Sequence, residues 1–176
     1  RLYDIYNEYE GLNNIKTIND QAGIAPVKVD REIIELLKFS KEMYELTDGQ
    51  MNIAMGIVLT IWHECREEAG KNPDKGKLPD MENLENAHTD INKITIDEER
   101  LTVYLEDPEM SLDVGSIGKG YAVQKTAVFA KEIGMENVLI SVGGNISAVG
   151  TRGDGTPWRV GIQNPDLSSE SAYVKK

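Results

Sequence analysis

The sequence predicts an α+β fold, helices first and a mostly antiparallel sheet afterwards. Helical spacing governs the first half, a two-residue period takes over after residue 93, and turn residues punctuate both. A quarter of the 176 residues are Leu, Ile, Val or Phe, enough for a packed core. The 30 acidic and 19 basic side chains give a net charge of −11, which excludes a nucleic-acid scaffold, since phosphate backbones need a basic face. The longest mostly apolar run, Ile53 to Trp62, is half of the roughly 20 residues a membrane-spanning helix needs. A single cysteine, Cys65, permits neither an internal disulfide nor a cysteine-cluster metal site.

Leu2, Ile5, Tyr6 and Tyr9 share one helical face, and Gly11 ends that pattern, so a first helix is expected here. Asn13 to Pro26 is polar and turn-rich. Val27 and Val29 suit a short strand. Asp30 stands as N-cap of a helix whose face carries Ile33, Leu37, Ser40 and Tyr44, stopping at Asp48-Gly49. Ile53 to Glu68 is a further helix closed by Gly70, and Lys71 to Asp80 is a loop with Pro73, Gly76 and Pro79. A short helix spans Met81 to Asn86. Ile94 and Ile96, then Leu101, Val103 and Leu105, alternate with polar residues around the turn Asp97 to Arg100, which spells a β-hairpin. Met110 and Leu112 suggest another short strand. A helix from about Ile117 to Ile133 ends at Gly134 in the C′ position. Val138 to Val142 is a strand that Gly143-Gly144 breaks or bulges before it continues over Ile146 to Val149. Trp158, Val160 and Ile162 alternate in a last strand, and a polar tail runs from Leu167 to Lys176.

Three segments could carry chemistry. In Asp113-Val-Gly-Ser-Ile-Gly-Lys-Gly120 an acid ends a strand and three glycines allow a close backbone approach. N–H groups at the start of a helix, with Lys119 beside them, favour a phosphate. The spacing is neither a Walker A loop nor a Rossmann fingerprint, and a tight strand-to-helix turn with a capping acid explains it equally well. Ser141-Val-Gly-Gly-Asn145 reads as a bulge or a close approach by a ligand. Thr47 to Asn52 reads as a helix cap and loop. His63 and His88 have no partner at metal or triad spacing, and Cys65 has no adjacent base.

Taken together these segments resemble the bacterial FAD:protein FMN transferase family (ApbE, formerly the thiamine-biosynthesis lipoprotein). The resemblance rests on Asp113 to Val123, Val142 to Ile146 and Pro157 to Gln163. Thr47 to Gly56 and Val58 to Trp62 extend it upstream, in register over about Leu2 to Pro165. It implies an ApbE-like fold, of which residues 1–176 form a partial flavin transferase domain lacking both ends. It places Tyr9, Gln50, Met51, Asn52, Asp113 and Lys119 at FAD and gives Ser116 an oxygen ligand to Mg²⁺, with the catalytic residue unassigned. Asn52 stands where the family has Asp, Gly118 where it has Ala, and Gln124 where it has Asp. The family's opening strand with a Met-x-Thr contact, its Ser-Gly-x-Tyr and His-Ile-Ile-Asp-Pro segments, and the Asp and Thr that complete the metal site are not among these residues. The resemblance further implies FMN transfer from FAD to a Ser or Thr hydroxyl with AMP leaving. Its partner would be a flavin-acceptor protein of a membrane redox complex, and its location the outer face of the cell membrane, lipid-anchored in the full-length protein. Hydrolysis of FAD to FMN and AMP, or flavin binding without catalysis, are the alternatives, and residues 1–176 alone are expected to be inactive.

Overall fold

The structure, a computed structural model, describes residues 1–166 and 168; the expected tail beyond Asp166 otherwise lies outside them. The chain divides into two compact units, residues 1–118 and 119–176.

In the first unit the order is α1 (Ile15–Asp20), β1 (Val27–Lys28), α2 (Arg31–Leu46), α3 (Gly56–Lys71), α4 (Met81–Glu85), β2 (Ile94–Asp97) and β3 (Thr102–Leu105). β3 is the middle of a three-stranded antiparallel sheet, pairing Val27 with Val103 on one side and Ile96 with Val103 on the other. Ile94, Val103 and Leu105 project from the sheet into a core completed by Ile15, Ile18, Ile33, Leu36, Leu37 and Ile53, all at most 1 % exposed. Burial at this level stabilises by roughly 1.5–3 kcal/mol per large apolar side chain. α1 arises inside the stretch expected to be loop. Asn14 makes a capping box with Thr17, accepting from the Thr17 N–H (3.1 Å) while Thr17 Oγ1 accepts from the Asn14 N–H (3.2 Å).

The helix expected over Leu2 to Tyr9 is absent. Asp4 Oδ1 accepts the N–H groups of Tyr6 (2.8 Å) and Asn7 (3.0 Å), and this local turn outcompetes the helical ladder. The helix expected from Ile53 begins three residues later, because the Gly56 N–H, which such a helix would bond to the Asn52 carbonyl, goes to the Ser111 carbonyl. The strand expected over Met110 to Leu112 is only a single parallel bridge between Met55 and Ser111.

The second unit holds most of α5 (Gly118–Glu132), then β4 (Val138–Val142) and β5 (Asn145–Val149). Gly143 and Gly144 are neither a break nor a bulge. Both have positive φ (53° and 86°), the backbone of a two-residue hairpin turn, so β4 and β5 pair antiparallel from Val142–Asn145 out to Val138–Val149. Gly134 terminates α5 as expected, with φ 80°. Trp158, Val160 and Ile162 form no strand. Alternation encodes an extended chain, but a strand also needs a partner backbone, and no strand element of the described residues includes this segment. No helix among the described residues is long and apolar enough to cross a membrane.

Candidate functional site

The segment Ser111–Asp113 is a single extended rung held on both edges. On one edge the Gly56 N–H donates to the Ser111 carbonyl (3.0 Å) and the Asp113 N–H donates to the Ile53 carbonyl (2.8 Å). On the other, the Asn19 carboxamide donates to the Leu112 carbonyl (3.0 Å) and accepts from the Leu112 N–H (2.8 Å). Leu112 itself is buried, so the rung is fixed by packing as well as by hydrogen bonds.

At the end of this rung Asp113 Oδ1 accepts the Gly115 N–H at 2.6 Å. A Cβ on Gly115 would stand 2.9 Å from that oxygen, which is why glycine occupies the turn. The Val114 carbonyl then accepts from the N–H groups of Ile117 (3.1 Å) and Gly118 (2.7 Å) as α5 begins. These two donors are thus already engaged, and the expected wealth of phosphate-seeking N–H groups is smaller than the glycine count suggested. Ser116 is exposed, with Oγ 4.0 Å from Met51 Sδ, so the loop that follows α2 does meet the glycine turn.

In the second unit the exposed Lys119 lays its stem against the β4–β5 turn. A Cβ on Gly143 would lie 3.3 Å from Lys119 Cδ, and one on Gly120 3.5 Å from Asn145 Oδ1. Within this unit, Lys119 and Gly120 in the first turn of α5 are therefore neighbours of the Gly143-Gly144 turn.

The remaining sequence-derived candidates differ in how free they are. Gln50 is exposed in the turn after α2, its N–H bonded to the Thr47 carbonyl (3.1 Å), and the Met51 N–H goes to Thr47 Oγ1 (3.0 Å). Asn52 is occupied structurally: Nδ2 donates to the Thr89 carbonyl (2.9 Å) while Oδ1 accepts the Ala54 N–H (2.8 Å). A carboxylate could not make the first of these bonds, which accounts physically for an amide at this position. Tyr9 donates its hydroxyl to Asp4 Oδ2 (2.6 Å), and the Arg1 guanidinium sits 5.3 Å from its ring centroid. That short bond holds the Tyr9 phenol above its ordinary pKa and the Asp4 carboxyl well below its own.

One charged cluster was not legible from spacing. His88 places Nδ1 2.8 Å from Asp107 Oδ1 and Nε2 3.1 Å from Glu109 Oε2, and Lys93 Nζ lies 2.7 Å from Asp107 Oδ2. His88, Lys93 and Asp107, with Tyr44, Asn52 and Met110, line an open cavity of about 510 Å³. The Lys93 ammonium, then His88 and the Glu109 N–H, hold the Asp107 carboxyl well below the usual carboxylate range. A depressed folded-state pKa contributes stability above the ordinary Asp value of about 3.9 that is lost as pH falls below it. Asp107→Asn is therefore expected to lower the melting temperature at pH 7, with the gap to the parent chain shrinking between pH 4 and 2. A gap constant over that range in thermal melts would remove Asp107 as a source of acid sensitivity.

For a divalent ion the described residues do not suffice. They include no group of three or more His, Cys, Asp or Glu side chains able to hold a metal, and Ser116 offers one oxygen where Mg²⁺ takes about six ligands.

Fold and site together define an α+β protein in which an acid-capped glycine turn leads into a helix. The ApbE family model matches residues 1–175. The chain belongs to the ApbE family. It is 28 % identical over 149 residues to the FAD:protein FMN transferase of Haemophilus influenzae, covering 84 % of this chain and 42 % of that protein. The ApbE protein of Thermotoga maritima has a similar structure (TM-score 0.75, 26 % identity, 94 % of this chain and 51 % of that one). So does the flavin transferase ApbE of Vibrio cholerae (TM-score 0.71, 27 % identity, 86 % and 47 %). The chain spans about half the length of the curated relatives it matches.

Proposed function

We propose that this chain contributes the FAD-binding part of an enzyme that transfers FMN from FAD to a Ser or Thr hydroxyl of an acceptor protein. In that reaction the hydroxyl oxygen attacks the flavin-side phosphorus, a new P–O ester bond forms, and the pyrophosphate P–O bond breaks. AMP leaves with the bridging oxygen, and the hydroxyl proton passes to solvent or a base. The observation that carries the reading is the Asp113–Gly115 turn, built rigidly at the head of α5 in a chain that matches the ApbE family from end to end.

The residues of this chain bind and orient. The second Asp113 carboxylate oxygen suits a donor on the cofactor, an adenine amino or ribose hydroxyl group, because an anion next to phosphate would repel. Lys119, its stem seated on Gly143, supplies a positive charge for phosphate oxygens. Met51, which borders the glycine turn at Ser116, and its neighbour Gln50 are offered to the cofactor from the loop after α2. Tyr9, with its hydroxyl committed to Asp4, presents only its ring. Mg²⁺ would stabilise charge on the phosphates, Ser116 being one of its oxygen donors and the rest lying outside the described residues. The acceptor is proposed to be a flavin-carrying protein of a membrane redox complex, with the full-length enzyme lipid-anchored on the outer face of the cell membrane.

Full-length protein carrying this sequence, incubated with FAD, Mg²⁺ and a Ser/Thr acceptor peptide, is expected to yield fluorescent flavinylated peptide and AMP. Free FMN without labelled peptide would make it an FAD pyrophosphatase, and unchanged FAD a binding module. Residues 1–176 alone are expected to transfer a negligible amount of FMN. Robust Mg²⁺-dependent labelling by that chain would place the whole metal site within it.

A further inference from the structure

We infer that Asn19, at the last turn of α1, is a positioning residue that sets the aim of Asp113, an inference that rests on the reading of the Asp113 turn as the FAD site. Leu112 and Asp113 share one planar peptide group, whose carbonyl and N–H point in opposite directions. The carbonyl end is held by Asn19 Nδ2 (3.0 Å) and the N–H end by the Ile53 carbonyl (2.8 Å), so the plane from which the Asp113 side chain departs is pinned at both ends. The Leu112 N–H is taken by Asn19 Oδ1 as well (2.8 Å). One side chain thus does for Leu112 what a paired strand residue would do, offering a donor and an acceptor in one fixed plane.

A carboxamide has that pair of groups on one carbon, and neither a carboxylate nor an alkyl side chain does. Asp would set an oxygen against the Leu112 carbonyl, and Ala would leave both polar groups of a buried residue unmet. Asn19 is itself well founded: α1 starts from the buried Asn14 capping box and buries Ile15 and Ile18 in the core. The carboxamide therefore carries the position of the core to the rung, and the rung carries it to the carboxylate.

The test compares the full-length parent protein with Asn19→Asp and Asn19→Ala, and with Asn13→Ala as control. The control removes a hydrogen bond from the same region, Asn13 Nδ2 to the Lys28 carbonyl (2.8 Å), remote from the rung. Amide hydrogen exchange over residues 110–116 and the FAD dissociation constant are read well below the melting temperature. Both Asn19 variants are expected to speed exchange in that segment and weaken FAD binding by roughly tenfold, the loss expected when a buried partner is left unmet. The control should change neither. Asn19→Asp keeps the acceptor for the Leu112 N–H and nearly the same shape, so it decides the matter should Asn19→Ala fail to fold. Unchanged exchange over 110–116 would overturn the inference, as would faster exchange with parental FAD affinity, which would leave Asn19 a purely structural residue. A parent protein that binds no FAD would overturn the cofactor reading instead, while the exchange comparison still decides whether Asn19 holds the turn.

Discussion

Gly56→Ala is expected to destabilise the fold by about 1–3 kcal/mol, the usual penalty for forcing a methyl group into packed space. An added Cβ would stand 2.5 Å from both the Ser111 carbonyl oxygen and Ser111 Oγ. The obstacle is backbone, and that backbone is bonded to Gly56 itself, so neither side can yield without breaking the 3.0 Å bond between them. The opposing effect is the better helix propensity of alanine, at most about 1 kcal/mol and smaller in the first turn, where Gly56 sits. Steric conflict wins. In urea the midpoint should fall with an unchanged slope, and the melting temperature should drop by several degrees, on the order of 2–4 °C per kcal/mol for a chain of this size. An unaltered midpoint would show that the Met55–Ser111 bridge slides freely, and that the rung is less fixed than its hydrogen bonds imply.

Asp113→Asn separates cofactor binding from turn formation. Asn keeps an acceptor for the Gly115 N–H and is itself a good turn residue, so the turn should persist with little loss of melting temperature. What it loses is the negative charge and the acceptor capacity of the second oxygen. If that oxygen receives a donor from FAD, affinity should weaken by about 1.5–3 kcal/mol, roughly ten- to a hundredfold. Both quantities are measured on one sample. Parental FAD affinity with a clearly lowered melting temperature would confine Asp113 to capping its own turn.

How much of this could be read beforehand depended on the range of the interactions involved. α2, the β2–β3 hairpin and α5 were legible because their determinants are local: Asp30 before an apolar stripe, alternating Ile94 to Leu105, Gly134 at a helix end. The first twelve residues misled for a reason equally local. The apolar spacing of Leu2, Ile5, Tyr6 and Tyr9 is helical, but Asp4 diverts the N–H groups a helix would use. At the site the glycine motif and its acid were visible in sequence, as was the Gly143-Gly144 pair, although as a bulge and not as the hairpin turn it makes. What spacing did not show was commitment. Asn52 is bound to Thr89 and Ala54, Tyr9 to Asp4, and His88 to carboxylates 19 and 21 residues away. Such pairings depend on which loops the core brings together, and no period in the chain records them.

The span between Asn19 and Leu112 also orders events in time. Closing a loop of 93 residues costs about 3 kcal/mol more chain entropy than closing the four-residue connection between β2 and β3, on the (3/2)RT ln n scaling. Short-range pieces such as that hairpin and α2 can gather early, whereas the rung must wait for the core that joins α1 to the far end of the unit. On the ribosome the delay is absolute, because Asn19 is synthesised long before its partner exists. A nascent chain shorter than about 113 residues can hold nearly all of its helices and still have no aimed carboxylate. On the proposed reading of the Asp113 turn, receptivity to a nucleotide is the last property the first unit acquires, and the first it gives up when α1 lets go.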